Sequence, residues 1–334
     1  MEIGLVVSTF LSSLAFIWIF RKLAAWNSVL LDIPNERSSH SQPVIRGAGI
    51  GIVLTVLGTY VALFGAQANL AYLLAVISIS IVSFLDDLFS VPLLIRLAVH
   101  FAAAAIFVFF SGSYNEISAP WFNSSLNFGA LAPWISVFFI VGAINAFNFM
   151  DGIDGIAGAQ GVGVGLGWML LGYSFGLTTY SNLGAIIVGA CAGFLIFNWQ
   201  PAKVFMGDVG STFLGFSFAV LPLIDPVGVQ RIYPAPIAIT IILLWLFLFD
   251  TVFTRLRQLF RLQPFWRAHR DHLYQKIALS GASHRAVACF FGLTAVALAL
   301  AVVYARTMGS APLILILIFS PVVLMIWARK KRLT

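Results

Sequence analysis

Acidic residues cluster in three short segments of a chain that otherwise carries little charge. Asp86 and Asp87 are adjacent in "FLDDLFSVP", Asp151 and Asp154 lie in "NAFNFMDGIDGIAG", and Asp208 lies in "NWQPAKVFMGDVGS". Only 9% of the 334 residues are Asp, Glu, Lys or Arg. Oxygen ligands without paired Cys or dense His indicate Mg²⁺, with Mn²⁺ as the alternative, rather than zinc. A metal and cationic side chains that neutralise phosphate charge are what phosphoryl transfer requires.

The spacing of these residues indicates how they could share a site. Adjacent residues of a regular helix point about 100° apart, so Asp86 and Asp87 can both reach one site only near a helix end. The second segment carries four polar side chains at a spacing of three, which stacks them along one helical face. These are Asn145, Asn148, Asp151 and Asp154.

Glycine and basic residues accompany the acids. Gly207, Gly210 and Ser211 stand at a predicted helix start, where backbone N–H groups can bind an anion. Arg96 and Lys203 are further candidates for contact with a phosphate. The second and third segments therefore have the composition of a phosphate-binding site.

A fourth segment, "RLRQLFRLQPFWRAHRDHLYQKI", is basic and aromatic. Its simplest interpretation is an interfacial amphipathic helix with Trp266 and Tyr274 at headgroup depth. A sharper interpretation uses His269, Arg270 and His272, because two His at positions i and i+3 beside an Arg could bind a diphosphate or stabilise a leaving phosphate. The sequence leaves both open.

Long apolar runs separate these segments. The chain is 60% hydrophobic and has a mean hydropathy of +0.99, and runs of roughly 17–25 apolar residues can cross a bilayer as helices. We predict a single all-α polytopic membrane domain with eleven spans, or ten if the Gly-rich sixth run is not a free helix. The predicted spans are 2–20, 46–65, 69–85, 93–111, 131–147, 158–177, 182–198, 210–224, 233–253, 286–305 and 311–328.

The basic residues predict the orientation, because Lys and Arg are retained on the cytoplasmic side of membrane proteins. With the N-terminus outside, only Arg231 and Arg306 of the nineteen Lys and Arg fall outside, and the "RKKR" tail is cytoplasmic. Among the acids predicted to be inside, only Asp250 lies within a span. The loops would thus form a cleft at the cytoplasmic membrane surface. The same bias explains the net charge of +7 without a nucleic-acid partner.

Three kinds of function can be weighed against this distribution. A transporter or lipid flippase would more often place acids in the middle of spans, whereas a phosphoryl transferase would place them at the membrane surface. The acids at the predicted span ends favour the transferase. A catalytically inactive binding homologue is disfavoured because every proposed metal and base residue is present.

Five motifs in order resemble the polyprenyl-phosphate N-acetylhexosamine-1-phosphate transferases of glycosyltransferase family 4, which include phospho-MurNAc-pentapeptide translocase. The motifs are "DIPNERSSHSQPVIRGAGI", "FLDDLFSVP", "NAFNFMDGIDGIAG", "FNWQPAKVFMGDVGS" and "AHRDHLYQ". The first and last are similar to the O-antigen-initiating branch. In "PVIRGAG" the sequence departs from the Thr-Pro-Arg and three glycines of many relatives, which leaves the role of this loop open.

The resemblance implies transfer of an N-acetylhexosamine-1-phosphate from a UDP-sugar to undecaprenyl phosphate, with release of UMP and a requirement for Mg²⁺. This reaction would start O-antigen or related lipid-linked glycan synthesis at the bacterial inner membrane, with the active site cytoplasmic. The implied partners are UDP-N-acetylhexosamine, undecaprenyl phosphate and membrane lipid. A homodimer is left open.

The resemblance also implies residue roles, motif by motif. Asp208 resembles the Mg²⁺ ligand, with Asp87 assisting, and Asp86 resembles the base or nucleophile toward the lipid phosphate. His269 and His272 match a His motif implicated in diphosphate or sugar contacts. The nucleotide-sugar pocket would be lined by Asn145, Asn148, Asp151 and Asp154.

Overall fold

Apolar helices make up almost all of the computed structural model, which describes residues 1–24, 30–32, 43–118, 125–225, 236–261 and 271–329. The α-helices in these ranges are α1 Glu2–Ala24, α2 Ile50–Phe64, α3 Leu70–Phe89, α4 Leu93–Ser111, α5 Ala132–Met150, α6 Ile156–Ser174, α7 Thr178–Asn198, α8 Gly207–Ile224, α9 Pro236–Leu243, α10 Trp245–Phe260, α11 Leu273–Leu279, α12 His284–Met308 and α13 Ala311–Arg329. The antiparallel strand pairs are β1 Leu31–Asp32 with β2 Val44–Ile45, and β3 Glu116–Ser118 with β4 Ser125–Asn127.

The helices confirm the prediction of an all-α, multi-pass membrane protein. Within the described ranges, ten helical segments are long and apolar enough to cross a membrane. Helices α9 and α10 pass the same test only together, and they meet at 78°. The predicted ninth span, 233–253, is therefore two helices and not one straight segment where it is described. Ten or eleven spans result, as expected.

The Gly-rich run that is weakest as a free helix forms the complete helix α6. Its neighbours are α7 and α12, against which it packs extensively. A Cβ at Gly163 would lie 2.5 Å from the carbonyl oxygen of Gly292 in α12, so the two backbones nearly touch. Close packing between small residues stabilises such helices in a membrane. Tertiary packing thus compensates for the low helix propensity of glycine.

Helix α8 is almost entirely buried and packs against α3 and α5. At one end of the bundle, α3 and α5 finish while α4 and α8 begin. The segment before α2 is bonded there to the segment before α8, because the N–H groups of Ala48 and Gly49 donate to the carbonyls of Phe205 and Met206 at 3.0 and 2.8 Å. This face of the molecule, hereafter the site face, therefore gathers the ends of several helices.

Candidate active site

Two carboxylates from different helices share one cation at the site face. Asp86 lies in the last turn of α3, and Asp208 lies in the first turn of α8. The guanidinium group of Arg96, in the first turn of α4, donates from Nη1 to Oδ2 of Asp86 and, at 2.7 Å, to Oδ2 of Asp208. The shared positive charge offsets the repulsion between the two carboxylates. The position of Asp86 near a helix end agrees with the expectation from sequence.

A fourth helix adds an amide to this cluster. Asn148, in the last turn of α5, donates from Nδ2 to Oδ1 of Asp208 at 3.1 Å and to the hydroxyl of Ser211 at 2.9 Å. The two oxygens of Asp208 are thus bonded to Arg96 on one side and Asn148 on the other. The structure brings together the first three acidic segments, as the sequence predicts.

Asp87, the neighbour of Asp86, contacts helix α8 through backbone N–H groups and not through Arg96. Its side chain is fully buried, and its Oδ1 accepts from the N–H of Asp208 at 2.9 Å while its Oδ2 accepts from the N–H of Val209 at 3.1 Å. The first N–H groups of a helix have no partner within the helix, so Asp87 caps α8 from a neighbouring helix. This contact holds the backbone of Asp208 in place.

Arg46 and Gly207 complete this cap. The sequence predicts Gly207 only as part of an anion-binding helix start, and it assigns no site role to Arg46. Arg46 donates from Nε to Oδ1 of Asp87 at 2.7 Å. Burial lowers the pKa of Arg46, but the charge and hydrogen bond of Asp87, together with the charges of Asp208 and Asp86, raise it overall. Gly207 has a φ of +75°, and a Cβ there would lie 2.5 Å from Oδ2 of Asp87. Both residues lie in the Gly-containing motifs "PVIRGAG" and "FMGDVGS", and this is the sequence feature by which they could have been found.

Asp151 stands beside the carboxylate cluster but outside the helix. Helix α5 ends at Met150, and the N–H of Asp151 donates to the carbonyl of Asn148 at 3.2 Å. The residue as a whole is partly exposed, but burial of its carboxyl group and then the charges of Asp208 and Asp87 raise its pKa to about 8. A carboxyl group protonated near neutral pH can donate a hydrogen bond to a ligand.

The described contacts of Asp154 lead away from the cluster. Its Oδ2 accepts from the N–H of Ala202 at 3.2 Å and lies 3.5 Å from Nδ1 of His284. The expectation of one helical face for Asn145, Asn148, Asp151 and Asp154 is wrong beyond Met150, because the helix ends there. Gly155, with a φ of +79°, redirects the chain into α6. The amide of Asn145 folds back onto its own helix, donating to the carbonyl of Val141 at 2.7 Å.

The remaining predicted site residues are less closely connected to the carboxylates. His269 and Arg270 lie outside the described residues. His272 is buried, with Nδ1 3.2 Å from Oδ1 of Asp250 and its ring 6.3 Å from that of Phe149. Lys203 is exposed, and no ion pair joins it to a described residue. The fourth segment thus packs against the second, and Asp250 is a residue that sequence reasoning placed in a span without assigning it a role.

The donor set can be compared with what a metal ion requires. Among the described residues, no group of three or more His, Cys, Asp or Glu side chains could hold a metal by itself. Asp86 and Asp208 nevertheless direct one oxygen each at a single cationic nitrogen. This pair fits Mg²⁺, which is usually bound by one or two carboxylates and completed by substrate phosphates and water. The predicted metal roles of Asp208 and Asp87 stay predictions.

Comparison with known proteins identifies similar membrane enzymes. The sequence model described as glycosyl transferase family 4 matches residues 69–225. A probable undecaprenyl-phosphate N-acetylglucosaminyl 1-phosphate transferase of Bacillus subtilis is 29% identical over 258 residues, covering 76% of this chain and 71% of the relative. Phospho-N-acetylmuramoyl-pentapeptide-transferases of Clostridioides difficile and Geobacillus thermodenitrificans are 32% and 31% identical, covering 62% and 67% of this chain and 69% and 74% of those proteins.

Proposed function

Because the chain belongs to glycosyl transferase family 4, we propose that it transfers an N-acetylhexosamine-1-phosphate from a UDP-sugar to undecaprenyl phosphate. One observation carries the proposal: Asp86, Arg96, Asn148 and Asp208 converge from four helices at one face of the bundle. A charged site at a membrane face can meet a lipid phosphate at the headgroup plane and a nucleotide sugar from the aqueous side. The product would start O-antigen or a related polysaccharide.

In the proposed reaction, an oxygen of the lipid phosphate forms a bond to the β-phosphorus of the UDP-sugar. The bond from that phosphorus to the oxygen bridging the α-phosphate breaks, and UMP leaves with the bridging oxygen. Asp86 is placed to accept a proton from the lipid phosphate, because its carboxylate stands at the end of α3 on the site face. Asn148 keeps Asp208 oriented toward the cluster.

Arg96 is suited to hold phosphate groups during this transfer. A guanidinium group has five N–H donors, and Nη1 alone makes the two bonds to Asp86 and Asp208. The Arg96 side chain is 27% exposed, so the accessible N–H groups of its guanidinium can donate to a phosphate oxygen. Mg²⁺, held by Asp208 with Asp86, would supply additional charge neutralisation on the diphosphate. Both oxygens of Asp87 are already bonded to backbone N–H groups and Arg46, so Asp87 would assist by holding the start of α8.

The activity is tested with purified protein, undecaprenyl phosphate, Mg²⁺ and a panel of UDP-N-acetylhexosamines. We expect one or more donors to yield UMP and a lipid-linked sugar phosphate in equal amounts. The matched control is Asp208→Asn, which keeps the size of the side chain and removes its charge. If no donor yields UMP, the proposal is wrong. Uptake of a substrate into vesicles without UMP release would instead support the transporter.

A further inference from the structure

Asp250 is a fully buried acid in α10 that the proposed reaction does not use. A buried carboxylate requires hydrogen bonds in place of its lost hydration. Its donors are the hydroxyl of Thr254 at 3.0 Å, Nδ1 of His272 at 3.2 Å, and the N–H groups of Leu273 at 2.9 Å and Tyr274 at 3.0 Å. Most of these donors come from the start of α11. Asp250 therefore fixes the beginning of that helix.

Helix α11 in turn contacts the turn that follows α5. The buried hydroxyl of Tyr274 donates to the carbonyl of Phe149 at 2.9 Å. Gly152 lies so close that a Cβ there would be 2.2 Å from the hydroxyl oxygen of Tyr274. The ring of His272 lies 6.3 Å from that of Phe149. Residues 149–152, which include Asp151, are thus held against α11 by specific contacts.

We infer that Asp250 is a positioning residue that acts through His272 and Tyr274 to fix the turn 149–152. His272, which is 2% exposed, is then a link in this chain of contacts and does not touch the substrate. The turn carries Asp151 close enough to the carboxylate cluster to feel the charges of Asp208 and Asp87. Only the assignment of Asp151 to the nucleotide-sugar pocket rests on the proposed function.

The first test separates donor binding from turnover. Tyr274→Phe removes the hydroxyl group that donates to Phe149 and also interacts with Gly152 and Gln275. We therefore expect the KM for the donor to rise about tenfold and kcat to change less than about twofold. Asp250→Asn should raise KM at least as much. Adding Tyr274→Phe to Asp250→Asn should change KM by less than about twofold, since residues in one chain of contacts are not additive.

The matched control is Tyr114→Phe. The hydroxyl of Tyr114 is also buried and donates to a backbone carbonyl, that of Ala219, at 2.5 Å, but it lies beyond the opposite end of α4 from Arg96. The Tyr114→Phe protein should lose about as much stability as the Tyr274→Phe protein, without any change in the KM for the donor. A Tyr274→Phe protein whose donor KM equals that of Tyr114→Phe overturns the inference. The inference is also overturned if the rise in KM of the Asp250→Asn, Tyr274→Phe double variant equals the product of the rises in the two single variants.

A second test does not depend on activity. Gly152→Ala places a methyl group against the hydroxyl of Tyr274, so we expect its melting temperature to fall by about 4 °C or more. Tyr274→Phe removes that oxygen and should restore at least half of the loss. No restoration overturns the inference. If wild-type protein releases no UMP with any donor, the proposed function fails, and the Gly152 comparison alone then decides the inference.

Discussion

Replacing either member of the Asp86–Asp87 pair by Asn should separate catalysis from structural support. In Asp87→Asn, the carbonyl oxygen can still accept from Arg46 and the N–H of Asp208, but the new amide group faces the N–H of Val209. A buried donor left unpaired destabilises by about 1–3 kcal/mol. Loss of the negative charge weakens the interaction with the start of α8 but also relieves repulsion from Asp208, and these two effects oppose each other. We therefore expect Asp87→Asn to lower the free energy of unfolding by about 1–3 kcal/mol, from the unpaired donor alone.

Asp86→Asn should behave differently although it removes the same charge one residue away. Its carbonyl oxygen can still accept from Arg96, and removing the charge relieves repulsion from Asp208. We expect the free energy of unfolding to change by less than about 1 kcal/mol, or to rise, as at other functional sites. Turnover should nevertheless fall at least about 100-fold, because a group of the phosphoryl-transfer site is lost.

The two variants can be compared by SDS titration in mixed micelles, followed by far-UV circular dichroism. Fits with equal slopes for wild type and both variants make the midpoints comparable. The reasoning is refuted if Asp86→Asn loses as much stability as Asp87→Asn. It is also refuted if Asp87→Asn unfolds at the wild-type midpoint, since the cap on α8 would then contribute nothing.

Three further outcomes follow from the site. Asp208→Asn should reduce turnover at least about 100-fold while the protein stays folded by size-exclusion chromatography; near-normal turnover would remove Asp208 from the site. The native state holds the proton of Asp151 up to a pH of about 8, because its pKa is raised, whereas the unfolded chain loses it near a pH of about 4. The wild-type protein therefore loses stability as pH rises between these values. Asp151→Asn, which has no such proton to lose, should raise the melting temperature relative to wild type at pH 8 but not at pH 4. An equal shift at both pH values contradicts the raised pKa of Asp151. Gly207→Ala should lower the free energy of unfolding by at least about 1–2 kcal/mol, because its φ is +75° and the methyl group would meet Asp87. Gly58→Ala, in helix α2 with open space around it, is the control and should show no loss.

Much of the site could be predicted because its residues lie in short local segments. Asp86, Asn148 and Asp208 were selected from their types and spacing, and the structure brings them together. Asp154 shows where this reasoning fails, since a spacing of three has meaning only while the helix continues. Helix α5 ends at Met150, and Asp151 already has a non-helical backbone with a ψ of 57°.

The sequence by itself determined the membrane-spanning helices, because a backbone in hydrocarbon must satisfy its hydrogen bonds within each segment. It also determined that acids occur near their ends. Only the tertiary structure decided which groups each of these acids contacts. Asp86 and Asp87 differ because adjacent helical positions point about 100° apart, so one meets Arg96 while the other meets the start of α8, more than a hundred residues away in the chain. Arg46 likewise meets Asp87 41 residues later in the chain. Asp250 accepts from Thr254 in its own helix, but its other donors lie 22 to 24 residues away, and no local pattern specifies those contacts.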